Sequence, residues 1–317
     1  MPKKAKPVDL KRVTTYPIRR RVSKLDQSLL ARLPSPDQPL AEFFRTWPKL
    51  LKAKEFLRIA ERMAHAHRTD RAVVWMMGAH PIKCGLSSLI VDLIKRKVIT
   101  CVAMNGAAAI HDFELAFFGH TSEDVERGLE DGSFGMAQET GEGMNNIINE
   151  GVRRGYGIGE ALGQSILRRG AKFQELSILC QSFKDNVPVT VHIALGTDII
   201  HQHPSVDGVA LGKGGILDFR ILAGQLPGLN DGGVVINCGS AVIMPEVFLK
   251  ALTIARNLGN TVKDFTAVNL DMIEHYRPMA NVLTRPTSLG GEAYSILGHH
   301  EIMLPLLYSA ILTQLKS

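Results

Sequence analysis

The sequence predicts an α/β protein built on a Rossmann-like, mainly parallel, doubly wound sheet, and two observations carry that prediction. Short apolar runs of strand length, such as AVVWMM at 72–77 and VVIN at 234–237, alternate with stretches whose apolar residues recur at helical spacing. Three of the runs end in small-residue loops, at Gly78-Ala79, Asn105-Gly106-Ala107 and Cys238-Gly239-Ser240. In doubly wound sheets ligands bind outside the carboxyl ends of the strands, where such loops lie.

Taken in order, residues 1–37 read as a basic flexible arm. It carries Lys3, Lys4, Lys6, Lys11, Arg12 and Arg19 to Arg21, and Pro34, Pro36 and Pro39 end a short helical piece at 25–33. Residues 38–317 are expected to form a single α/β domain. A helical lead-in at 40–67 places Phe43, Phe44, Leu50, Leu51, Phe56, Leu57 and Ile59 on its apolar positions. Strand 72–77 is broken by Gly78-Ala79-His80-Pro81. Helix 87–97 carries Leu89, Ile90, Leu93 and Ile94 and closes on basic residues, and strand 99–104 follows. Thr121-Ser122-Glu123-Asp124 has the hydroxyl and acidic first turn of a helix start. Helices at 144–152 and 160–169 flank a Gly155-Tyr156-Gly157-Ile158-Gly159 break. Strands return at 189–195, 234–237 and 266–270, with helices at 246–257, begun by Pro245, and at 301–315.

At 317 residues and 45% hydrophobic content the chain is long enough for a large core. No apolar run reaches the roughly 18 residues of a membrane span, and the charged amino terminus lacks the apolar block of a secretory signal. A soluble, cytoplasmic protein without a membrane partner is expected. Cys84, Cys101, Cys180 and Cys238 stand singly, which reads as reduced thiols rather than a disulfide framework or a cysteine zinc site. The net charge of +6 gathers in the arm with no aromatic or groove-reading pattern, so no nucleic-acid partner is expected.

Gly78, Gly106 and Gly239 each follow a predicted strand, where glycine lets the backbone approach either a ligand or its own neighbours. GAHPIKCG is not the usual G-x-G-x-x-G fingerprint. After the second strand, Asp112 is read as holding a ribose hydroxyl or capping the following helix, and His111 as a general acid or base or a structural imidazole. The second polar cluster is Gly196-Thr197-Asp198-Ile199-Ile200-His201-Gln202-His203-Pro204, again directly after a strand. Its HxH pair is one way to begin a metal site, which keeps a metal-dependent hydrolase among the readings. Lys83 and Lys213 lie in glycine-bearing segments, PIKCG and LGKGG, neither of which is a P-loop.

From about Arg71 to Leu315 these segments, in this order, resemble the deoxyhypusine synthase family. The matching pieces are VVWMMGA, CGLSSLIVDLI, VAMNGAAAIHDFE, FFGHTSEDVERG, LGTDIIHQHP, GGVVINCGSA and HHEIMLPLL. The resemblance implies a Rossmann-like domain, NAD bound between subunits, a homotetramer, and oxidation of a polyamine with transfer of an aminobutyl group to an amine. It makes Gly78 the first-strand glycine, and places Asn105, Gly106 and Asp112 in the second nucleotide loop. Gly239 and Ser240 fall in the glycine-rich strand end, and Asp198 matches an aspartate lying where the polyamine binds. The chain also departs from the family. No lysine lies between Lys263 and Lys316, where the family's catalytic lysine belongs, and Ala241 to Glu246 contains no histidine. The first loop is shorter, and Ile110-His111 replaces an acidic pair.

The expectation is a divergent, NAD-dependent transferase or oxidoreductase acting on an amine, distinct from ordinary deoxyhypusine synthesis. Asp198 fixes the cationic amine, and His201 or His203 takes the proton. The alternative from another class is a non-catalytic nucleotide-binding or scaffold protein.

Overall fold

The computed structural model describes residues 4–316; Lys3 of the arm lies outside them. Six strands form one sheet in the order β3-β2-β1-β4-β5-β6. They are β1 (Val73–Met77), β2 (Cys101–Asn105), β3 (Val189–His192), β4 (Val234–Cys238), β5 (Phe265–Asp271) and β6 (Gly291–Leu297), and every pair is parallel. The helices are α1 (Leu40–Thr46), α2 (Leu51–Arg68), α3 (His80–Lys83), α4 (Ser87–Lys95), α5 (Gly106–Phe118), α6 (Val125–Asp131) and α7 (Gln138–Arg153). They continue with α8 (Ile158–Arg168), α9 (Ile178–Lys184), α10 (Gly208–Gln225), α11 (Ile243–Asn257), α12 (Tyr276–Pro278) and α13 (His300–Leu315).

The apolar runs become strands because a parallel sheet is covered on both faces. Along β1 every residue is buried, and its side chains alternate between two cores. Val73, Trp75 and Met77 pack with Ile59 and Met63 of α2, Ile94 of α4, Leu162 of α8 and Leu307 of α13. Val74 and Met76 join Leu222 of α10, Phe248 and Leu252 of α11, and Val282 of a π-helical turn at Met279–Thr284. Each large side chain so buried contributes roughly 1.5–3 kcal/mol.

Several elements differ from the sequence expectation. The piece at 25–33 is a single 3₁₀ turn, Gln27–Leu29, with no buried residue. The lead-in divides into α1 and α2 at Trp47-Pro48, since a residue before proline is held extended. LGKGG is no loop: it lies inside α10, with Lys213 on its exposed side. β6 and α9 are further elements not anticipated. No helix among the described residues is long and apolar enough to cross a membrane.

The chain runs outward from β1 to β2 and β3, then returns to the other side of β1 for β4, β5 and β6. The connections leaving β1 and β4 therefore diverge, and a crevice opens at their carboxyl ends.

Candidate functional site

Two glycines form the floor of that crevice. The Gly78 amide donates to the Cys238 carbonyl at 3.0 Å. A Cβ on Gly78 would stand 2.1 Å from the Gly239 carbonyl oxygen, so no other residue lets β1 and β4 approach this closely. Gly239 has φ +65°, a left-handed conformation that favours glycine. Beside them, Asn237 Nδ2 donates to the Ser240 carbonyl at 2.9 Å and to Asn269 Oδ1 at 2.8 Å, linking β4 to β5. Ser240 Oγ accepts from the Met244 amide in the first turn of α11 at 3.2 Å. The remaining amide atoms, Asn237 Oδ1 and Asn269 Nδ2, are buried without a hydrogen-bond partner. An unpaired buried polar atom costs about 1–3 kcal/mol, and a ligand's polar groups relieve that cost.

One strand over, Asn105 caps α5, its Oδ1 accepting from the Ala108 amide at 2.9 Å. Gly106 then begins the helix with the Asp198 carboxylate against it: a Cβ on Gly106 would lie 2.0 Å from Asp198 Oδ2. Asp198 is 8% exposed, Oδ2 has no partner, and burial pushes the carboxyl up to about 6. His201, one 3₁₀ turn further on, is held by two backbone amides. Gly196 N and Asp198 N both donate to its Nδ1, at 3.2 and 3.3 Å. Burial lowers the pKa of this ring. A neutral imidazole that accepts at Nδ1 carries its hydrogen on Nε2. That Nε2 is enclosed, has no partner, and lies 3.9 Å from Asp198 Oδ2. The sequence reading let His201 or His203 take the proton; in this tautomer His201 Nε2 carries a hydrogen and has the unpartnered Asp198 Oδ2 beside it.

Two further sequence assignments change. His203 is held away from Asp198 by a 2.8 Å contact from its Nε2 to the Gly135 carbonyl, and its ring fills the space that a Cβ on Gly141 of α7 would take. Its ring packs between α7 and the loop after β3, and the two imidazoles of the HxH pair serve different partners. Asp112 neither reaches the sheet edge nor caps the helix that follows it. Its carboxylate accepts from Ser177 Oγ at 2.5 Å and from the Ile178 and Leu179 amides at 2.7 and 3.1 Å, which caps α9. His111 joins Thr121 Oγ1 at 2.6 Å, near Glu114, whose other oxygen accepts from Thr140.

Sequence reasoning missed Asp218, which is fully buried in α10. Its Oδ2 accepts from the Gly159 amide at 3.0 Å and the Val191 amide at 2.8 Å, tying α10 to the start of α8 and to β3. The signal was present as a lone carboxylate inside the apolar run ILDFRILAG, as it was for Asn237 in VVINC and Asn269 in AVNLD.

Set against a dinucleotide, what these residues offer its polar groups is one unpartnered acceptor, Asn237 Oδ1, and one unpartnered donor, Asn269 Nδ2, both buried near the ends of β4 and β5. They lack the carboxylate that in many dinucleotide folds ends the second strand, because β2 ends in Asn105 and Asp112 is tied to α9.

No family model matches the chain, and no curated protein matches its sequence. Its fold does have solved counterparts. A proposed deoxyhypusine synthase from Entamoeba histolytica aligns over 87% of this chain and 94% of its own, with 13% identity and a TM-score of 0.53. A conserved, proposed LOR/SDH protein from Methanococcus maripaludis aligns over 88% of this chain and 71% of its own, with 17% identity and a TM-score of 0.50. At these identities the likeness is one of architecture, and the chain has a deoxyhypusine synthase-like α/β fold.

Proposed function

We propose that the chain binds NAD at the carboxyl edge of its sheet and acts on an amine or polyamine-like substrate as a transferase or oxidoreductase. One observation above all supports this reading: Asp198, a buried carboxylate poised near pH 6 with an unpartnered oxygen, beside the crevice. Such a group suits a cationic amine, because the ammonium favours its ionised form and it then accepts the ammonium's proton.

NAD, when bound, supplies the acceptor for the hydride leaving the amine's α-carbon. Asp198 would pair with the ammonium and take one proton at Oδ2, which frees the nitrogen lone pair that expels the hydride. The substrate, an ammonium that has lost a proton and a hydride, would become a protonated imine that keeps its positive charge. His201 Nε2 would donate to the carboxylate and hold its orientation. Gly78, Gly239, Asn237 and Asn269 would receive polar groups of the cofactor. With no lysine between Lys263 and Lys316, the alkyl group would pass to a free amine rather than to the enzyme. The similarity of the loop segments to the deoxyhypusine synthase family supports the amine class and the cofactor.

Thermal unfolding with NAD, followed by NADH formation across a panel of amines, tests the reading. NAD at a hundredfold excess over its dissociation constant stabilises by about 2.7 kcal/mol, a rise of several degrees in Tm. Asp198→Asn should keep that rise and lose NADH formation. No rise with any dinucleotide removes the reading, and unchanged NADH formation in Asp198→Asn removes the role given to Asp198. The missing lysine favours a second reading, a nucleotide-binding scaffold. Its signature is a rise with NAD and no turnover of any amine.

A further inference from the structure

His300 begins α13, is completely buried, and plays no part in the chemistry just described. Its Nδ1 lies 3.8 Å from the sulfur of Cys238 at the end of β4. Burial raises the Cys238 thiol far above its usual range, so the sulfur keeps its hydrogen and is available as a donor to Nδ1. In that tautomer the imidazole hydrogen sits on Nε2, which has no hydrogen-bond partner among the described residues. That N–H faces the crevice glycine. A Cβ on Gly239 would stand 2.9 Å from His300 Nε2 and 3.4 Å from both His80 Cβ and Pro81 Cδ. The space in front of Gly239 is thus walled by a buried donor, a proline and the root of His80. His80 is exposed and its ring lies 5.8 Å from that of His300, centroid to centroid, which makes it the solvent-exposed member of that wall.

The charges around His300 select the acceptor. Asp271 at the end of β5 and Glu301 on α13 are negative, His80 and His299 flank them, and burial keeps the His300 ring neutral. Two carboxylates beside a neutral donor disfavour a phosphate and leave an uncharged oxygen as the suitable partner. We propose that His300 Nε2 donates a hydrogen bond to an uncharged oxygen, a hydroxyl or a carboxamide carbonyl, of the ligand lying between β1 and β4, and that His80 swings aside to admit it. The inference rests on the dinucleotide reading above and adds a ligand-binding residue and its chemistry to it.

Calorimetric titration of the full chain with NAD, ADP-ribose and inorganic pyrophosphate tests it in the wild type and in His300→Phe, His300→Gln and His80→Ala. His300→Phe should weaken NAD roughly tenfold, the worth of one good hydrogen bond, and His300→Gln, which retains an N–H, should restore most of it. Pyrophosphate affinity should not change, and His80→Ala should bind NAD at least as tightly as the wild type. An equal loss for ADP-ribose identifies a ribose hydroxyl, and an unchanged ADP-ribose affinity identifies the carboxamide. Melting of the unliganded variants checks the fold; if His300→Phe does not fold, His300→Asn, too short to reach Gly239, takes its place. Wild-type affinity for NAD in the variant without the donor, or an equal loss for pyrophosphate, overturns the proposal while the dinucleotide reading stands. A wild type that binds none of the three ligands overturns both.

Discussion

Asp218 shows how a single carboxylate can be structural and still govern stability. Its ordinary pKa is 3.8, and burial lifts it to about 7, ahead of the opposing pull of the backbone amides it accepts. The folded state therefore holds this proton more tightly than the unfolded state, and stability falls as pH rises from about 4 to about 7. Only Oδ2 takes the Gly159 and Val191 amides, while Oδ1 has no partner. An asparagine can place its oxygen where Oδ2 lies and lose nothing but the buried charge. Asp218→Asn should be more stable than the wild type at pH 8 by roughly 2 kcal/mol or more, at roughly 1.4 kcal/mol for each pH unit between the two values, with the gain vanishing near pH 4. Urea unfolding of both proteins at pH 4, 6 and 8 reads this directly, and a gain independent of pH would show that the charge is not its source. Nothing in the sequence distinguishes such an aspartate from a solvated one. ILDFRILAG shows that the carboxylate sits among apolar residues, but the amides it binds belong to α8 and β3, 59 and 27 residues earlier.

The elements were legible where one physical signal acted alone. β1, β2, β4 and β5 are buried almost throughout, so their sequences are mainly apolar and they stand out as strands, with polar exceptions such as Asn237 and Asn269. β6 is an edge strand of mixed exposure that opens on Gly291, directly after Gly290, and is tied down from outside its own sequence. Glu292 in β6 binds Arg58 Nη2 at 2.9 Å and Arg62 Nε at 2.9 Å, both on α2, and accepts from the Tyr294 hydroxyl at 2.8 Å. α10 was hidden for the opposite reason. Its glycines resemble a loop, but a Cβ on Gly214 would stand 2.8 Å from Val152 Cγ2 and 3.0 Å from Ile158 Cγ1, so glycine serves helix packing there. The same holds for Gly106 at the start of α5, whose lack of a side chain makes room for Asp198. Gly106→Ala would drive a methyl into that carboxylate, and the helix start or Asp198 must move. A loss of about 1–3 kcal/mol in stability is expected, together with loss of amine-dependent NADH formation. Retained turnover at wild-type stability would mean that Asp198 does not need its seat on α5.

At the scale of the whole molecule, the carboxyl edge of the sheet carries more exposed apolar surface than its polar loops suggest. Leu195 follows β3, Val242 follows β4, Ile273 and Tyr276 follow β5, Leu297 ends β6 and Ile302 follows it, and all are exposed. Single exposed apolar residues need no explanation, but these all belong to the edge that holds Asp198, His300 and the two crevice glycines. The sequence offered the loops and not this rim, because exposure is a property of the assembled sheet and not of any one segment. We propose a second copy of the chain as the occupant of the rim, an expectation that rests on the resemblance of the loop segments to a tetrameric family. Light scattering after size exclusion should then report a mass of four times the 34.8 kDa chain. Ile273→Asp, which changes only an exposed side chain, should lower that mass, and if the proposed neighbour walls the site it should also weaken the thermal response to NAD in the same sample. A monomer with a full NAD response would place the whole site within one chain and leave the apolar rim to another partner.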